Sequence, residues 1–344
     1  MKKLKKMLVR YLEKIIYMKN RTLNKRQTIK SINLKYLEKN REVCKYFFDT
    51  FGYIKIENFF NKKEMDVISE EFNKTMEEKY NNFQKSEGNL LYPQILEYNE
   101  ELTRLLDLDK TKLLVETLLG KDSLYLGSDG NCFKSPTPWH RDYLIKSKTC
   151  KMLIYLEEAA IDQTALSVIP GSQFTEDAYS SFLTNALTWP EPPALGGFDE
   201  KGFLGKGHSP LNSGGNNVIP QHIIPTSPGD IIVFNHNLIH CTNASTWNRS
   251  RRLMGLHFGR KDKVEELKEI SLTEMNSFKL ENKYGPYVMN SKSKNIQSMI
   301  KPLKDLKIKV EGDFSGKYAT QSKSAVEFSN KHKNTIYKSK INEN

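Results

Sequence analysis

Cysteine is scarce in this sequence, and none of it is paired by pattern. The four residues, Cys44, Cys132, Cys150 and Cys241, form no C-x-x-C string and no regular framework, which excludes a disulfide-stapled scaffold and a zinc ribbon. A reducing cytoplasm is the simplest compartment. Long apolar runs are missing too, because lysine or arginine interrupts the N-terminal apolar residues every few positions, so neither a signal peptide nor a transmembrane segment is expected. No internal repeat occurs. There is also no His-Glu-x-x-His string to place two zinc ligands on one helical turn.

Acidic residues are the minority: 41 Asp and Glu stand against 53 Lys and Arg, a formal charge of +12. The excess is spread rather than blocked, which suits anionic small molecules and shows no aromatic-basic stacking pattern that demands nucleic acid. Residues 1–20 differ. There Leu4, Leu8, Tyr11, Leu12 and Ile15 recur at helical spacing among Lys2, Lys3, Lys5, Lys6, Arg10 and Lys14, a basic amphipathic helix suited to peripheral contact with an anionic membrane.

With 344 residues and 38% hydrophobic content, the chain can bury one main core with appendages. The expected organisation is a basic extension over 1–42, a main domain over 43–262, and a helical extension with a mobile basic tail over 263–344. Helices are expected at 62–79 and 102–119. Short β-branched runs punctuated by turn residues predict strands at 123–127, 131–134, 140–145, 151–157, 165–169, 222–225, 230–234 and 251–259. Many short strands with few helices between them argue for an antiparallel sandwich or jelly roll, mainly β with flanking helices. The Gly- and Pro-rich segment 175–221 is too long for a passive connection and is expected to be a lid carrying Trp189 and Phe198.

Chemistry concentrates in His140-Arg141-Asp142. In an extended chain, residues i and i+2 share a face, so His140 and Asp142 can reach one cation. His240 follows about a hundred residues later, behind the apolar run that Pro228-Gly229 opens. Two imidazoles and one carboxylate make a facial triad, which leaves three positions open on iron(II) for a chelating co-substrate and dioxygen. Arg251 lies on the next expected strand, where its planar fork can hold the distal carboxylate of 2-oxoglutarate. Strand alternation favours it over Arg252. Thr242 shares the face of His240 if that strand continues, and adds a hydroxyl for the same carboxylate. His208, His222, His236, His257 and His332 read as surface or hydrogen-bonded side chains.

These segments together resemble the phytanoyl-CoA dioxygenase family of iron(II)- and 2-oxoglutarate-dependent oxygenases. The resemblance spans roughly residues 45–260 and rests on ordered pieces: Phe51-Gly52-Tyr53-Ile54 through Phe59-Phe60 with Lys63-Glu64-Met65, then Trp139-His140-Arg141-Asp142, the Ala165 to Ser172 segment, the Gly229-Asp230 turn, and His240 with Arg251. It implies a double-stranded β-helix of the cupin-like kind. It also implies that His140, Asp142 and His240 bind the iron, that Arg251 pairs with 2-oxoglutarate with Thr242 as helper, and that Asn131 touches the co-substrate as well. The implied reaction hydroxylates an unactivated carbon of a small molecule or carrier-linked acyl group, consuming O2 and releasing succinate and CO2. An oxygenase acting on nucleic acid or protein, or a cupin-like binding module without catalysis, are the alternatives. Two features refine the resemblance. Gln173 stands where the family often has histidine, and the presence of Asp142, which related halogenases replace with a small residue, favours hydroxylation.

Overall fold

Strands form where β-branched and aromatic residues alternate, and most of the expected ones are present in a computed structural model. It describes residues 32–80, 89–133, 137–143, 145–160, 165–174, 176, 222–242 and 251–310. In chain order the strands are β1 (Ile32–Asn33), β2 (Tyr53–Glu57), β3 (Leu90–Pro93), β4 (Ser123–Phe133), β5 (Thr137–His140), β6 (Thr149–Tyr155), β7 (Leu166–Val168), β8 (His222–Ile224), β9 (Ile231–Asn235), β10 (His240–Thr242) and β11 (Arg251–Arg260). They pair into a seven-stranded sheet, β1-β2-β9-β6-β11-β4-β3, and a four-stranded sheet, β5-β10-β7-β8. Helices Arg41–Phe51, Lys62–Tyr80 and Asp109–Leu119 precede the long strands, and Val264–Phe278 and Lys294–Ile300 follow them. This is the double-stranded β-helix with flanking helices. No described helix is long and apolar enough to cross a membrane.

Strand alternation decides which residues meet between the sheets. Tyr53, Leu153, Tyr155, Ile232, Phe234 and Leu253 from the larger sheet pack against Leu166, Val168 and Ile224 of the smaller one, forming one buried cluster. Each such side chain contributes roughly 1.5–3 kcal/mol on burial. The same period of two carries polar residues inward as well. Register places Lys151 opposite both His257 and Phe234, Asp129 opposite Gly255, and Arg251 opposite Phe133, so charged groups share the face of the apolar cluster.

Several expectations shift in detail. The separate strands at 123–127 and 131–134 are one strand, β4, which continues through Gly127 at φ 131; Leu126 is its extra residue where the register with β11 shifts between His257, opposite Gly127, and Phe258, opposite Tyr125. The helix at 102–119 is instead a short turn of helix, Glu100–Thr103, running into a tighter turn, Arg104–Asp107, with extended Leu108 setting off helix Asp109–Leu119; Leu102, Leu105 and Leu106 are buried as well as Leu114, Leu118 and Leu119. The strand at 140–145 ends at His140 instead. Asp230 precedes β9 and ties its turn, accepting from Ser227 N and Asn58 N and pairing with Lys55. Gly229 is required there. Its φ is +99, and a Cβ would lie 2.4 Å from the Phe60 carbonyl oxygen. The amphipathic segment 1–20, the lid with Trp189 and Phe198, and the tail beyond residue 310 lie outside the described residues.

Candidate metal centre

His240 is brought to His140 by strand pairing. On β10 it sits opposite His140 of β5 on one side and Val168 of β7 on the other, and the two imidazole centroids are 4.2 Å apart. Cross-strand neighbours on one face come this close without strain. Asp142 arrives differently. The chain leaves β5 after His140, and the amides of Asp142 and Tyr143 both donate to the His236 carbonyl, at 3.0 and 3.2 Å. This turn, rather than a continuing strand, aims the carboxylate back at the two imidazoles.

Asp142 Oδ1 lies 3.4 Å from His140 Nε2 and 3.5 Å from His240 Nε2, and the three ligand atoms fall within 4.8 Å of one another. Protonation suits a cation. His240 Nδ1 is 2.9 Å from the Leu238 carbonyl, so Nδ1 carries the proton and Nε2 presents its lone pair to the cluster. Burial, and next the neighbouring His140, push the His240 pKa down to about 3. Burial alone raises Asp142, but the Lys151 ammonium, His240 and His140 outweigh it and hold the carboxyl well below its usual range. The second carboxylate oxygen, Oδ2, is buried with no hydrogen-bond partner. Two imidazole nitrogens, one carboxylate oxygen and a second buried carboxylate oxygen without a hydrogen bond fit a divalent metal ion of the iron(II) class.

Arg251 turns inward and Arg252 outward. Arg251 is buried, its guanidinium 5.8 Å over the Phe133 ring, and its Nε has no partner. Burial lowers its pKa, while the nearby Tyr155 and Cys241 oppose the shift. The Tyr155 hydroxyl is likewise buried without a partner. Arg252 pairs with Glu157 and Asn73. Thr242 Oγ1 accepts from Thr137 N at 3.0 Å, which leaves its hydroxyl proton for another acceptor. Asn131 is buried on β4, and its side-chain amide donates to Asp129. Gln173, where the family often has histidine, staples the end of helix Arg41–Phe51 by donating to Asp49 O and Thr50 O.

Sequence reasoning missed a polar array beside the triad. Lys151 Nζ is 2.9 Å from Asp129 Oδ2 and 4.0 Å from Asp142 Oδ2, and Asp129 Oδ2 also accepts from His257 Nε2 at 2.6 Å. His257 Nδ1 in turn meets His236 Nε2 at 2.9 Å. Burial pushes Asp129 up, but Lys151 and His257 reverse this and leave it below the usual carboxylate range. Lys151 stays charged for the same reason. One signal was present: Lys151 interrupts the otherwise apolar strand from Cys150 to Tyr155, on its inward face.

Among solved structures the fold is similar to AviO1 from Streptomyces viridochromogenes Tue57, at 15% identity over 64% of this chain and 96% of that one with a TM-score of 0.47. It is also similar to SnoK, a non-heme alpha-ketoglutarate-dependent carbocyclase from nogalamycin biosynthesis, at 16% identity over 64% and 83% of the two chains with a TM-score of 0.46. HygX from Streptomyces hygroscopicus, crystallised with nickel and 2-oxoglutarate, matches at 17% identity over 63% and 85% with a TM-score of 0.47. No curated protein sequence matches. The decisive match is to a family, and it runs from residue 48 to residue 253, from the helix before β2 to the strand that carries Arg251. Spanning more than half of the chain and all four of His140, Asp142, His240 and Arg251, it makes this protein a member of the phytanoyl-CoA dioxygenase (PhyH) family.

Proposed function

We propose that the protein is an iron(II)- and 2-oxoglutarate-dependent oxygenase that hydroxylates an unactivated carbon of a small molecule or carrier-linked acyl substrate. The observation that carries this reading is the convergence of His140, Asp142 and His240 on one point, on the same barrel as a buried arginine whose Nε has no partner. When bound, iron(II) and 2-oxoglutarate supply the oxidising chemistry: one O2 is consumed, the keto acid becomes succinate and CO2, and one oxygen atom enters a C–H bond of the substrate. The chain's own residues do the rest. His140, Asp142 and His240 would hold the metal ion, leaving coordination positions for a chelating co-substrate. Arg251, with Thr242, anchors the distal carboxylate of 2-oxoglutarate by charge-assisted hydrogen bonds. Asn131, buried on β4, touches the co-substrate as well. Lys151 keeps Asp142 anionic, and the apolar cluster of Phe234, Leu153 and Leu253 excludes water from the inner face.

The test is purified protein with iron(II), 2-oxoglutarate and oxygen, screened against small molecules and carrier-linked acyl groups for succinate release. Wild type takes up metal and releases succinate, whereas Asp142→Ala does neither. Absence of both metal uptake and succinate in wild type refutes the reading.

A further inference from the structure

The loop that follows the metal triad is held by a helix outside the family match. The match ends at residue 253, while helix Val264–Phe278 supplies two carboxylates to the segment immediately after Asp142. Glu266 accepts from Lys146 N at 2.7 Å, Ser147 N at 2.8 Å and the Ser147 hydroxyl. Glu274 accepts from the Tyr143 hydroxyl. On its other side Glu274 is paired with Lys283, 3.3 Å away, whose side chain is only 4% exposed. Lys283 N donates to Leu306 O, so the strap over 279–310 fixes the lysine that fixes the glutamate. Tyr143 is the link. Its amide shares the His236 carbonyl with that of Asp142, its ring lies 4.5 Å from the His236 ring, and its hydroxyl reaches the helix.

We propose that Glu274, acting through the Tyr143 hydroxyl, is a positioning residue of the metal centre, so that helix Val264–Phe278 sets the aim of the Asp142 carboxylate. The physical reason is simple. Asp142 lies on a turn, not on a strand, and no sheet register fixes its direction; a tether on the adjacent residue removes the freedom that a ladder would otherwise remove. Partners one step out from the ligands generally orient them, and their loss weakens metal binding by about 10–100-fold.

This inference rests on the metal reading above, and cobalt(II) alone, titrated by absorbance into the full-length apoprotein, separates the two. Tyr143→Phe and Glu274→Ala each weaken cobalt affinity about tenfold, and the double variant is no weaker than either single one. Glu274→Gln keeps an oxygen toward Tyr143 while losing the charge pair with Lys283, so it stays within about threefold of wild type in affinity. Thermal melting of each apoprotein, recorded alongside, shows the Lys283 pair as a stability loss shared by Glu274→Ala and Glu274→Gln. Wild-type cobalt affinity in Tyr143→Phe and Glu274→Ala overturns the positioning role but leaves the metal reading standing. Equal loss of affinity in Glu274→Gln and Glu274→Ala overturns it too, because the charge pair rather than the tyrosine tether then matters. Failure of wild type to bind cobalt removes the metal reading and this inference together.

Discussion

Lys151→Met is the most informative perturbation of the polar array, because it removes one charge and little volume. Lys151 and Asp129 side chains are 15% and 10% exposed, and their charged atoms are 2.9 Å apart. At an effective dielectric near 20, two unit charges at that separation attract by roughly 6 kcal/mol, of which the desolvation of both groups cancels a part. Removing one partner of a buried pair typically costs about 3–5 kcal/mol, since the other charge is left uncompensated. Asp129 keeps His257 and Asn131 as donors, which places the expected loss at the lower end, about 3 kcal/mol at pH 8. The pH dependence has a definite sign. In wild type the Asp129 pKa is depressed, so its stabilisation is complete above the unfolded value of about 3.9 and is lost only as pH falls through the lower folded value. In the variant burial acts without the lysine, the folded pKa rises, and protonation relieves the stranded charge as pH falls. The stability gap between the two apoproteins therefore narrows from pH 8 toward pH 5. Urea unfolding at both pH values measures it, and Lys151→Met combined with Asp129→Asn recovers about 2 kcal/mol. Equal stability at pH 8, or a gap that widens on acidification, refutes the account of the array.

Three further outcomes are expected. Arg251→Ala raises the dissociation constant for 2-oxoglutarate, at a cost of about 2–5 kcal/mol, while cobalt affinity without co-substrate is unchanged; calorimetric titration reads both. Gly255→Ala places a methyl group 2.3 Å from Lys151 Cε and 2.8 Å from Asp129 Oδ2, so it pries the pair apart and lowers stability by about 1–3 kcal/mol in urea unfolding. Burial lifts the thiols of Cys44 and Cys150 to about 11 and about 12, so at pH 8 neither residue reacts with a thiol reagent until denaturant is added.

The sequence alone determined the period and the donors. Alternation of Ile, Val, Tyr and Phe announced the antiparallel sheets, the Pro228-Gly229 turn announced the start of β9, and the residue types at 140, 142, 240 and 251 named a donor set of the iron class. These features are local, with a period of two along the chain, and a single strand is enough to express them. Pairing is not local. That His240 lies opposite His140 depends on β10 meeting β5, strands about a hundred residues apart, and no pattern within either strand specifies the partner. Tertiary structure also decided that Asp142 reaches the cluster from a turn pinned to His236 O, and which of Arg251 and Arg252 faces inward. It alone assembled Asp129, Lys151, His257 and His236 into one array, because three strands and a turn contribute to it and each residue, read in its own segment, looks like an ordinary polar side chain.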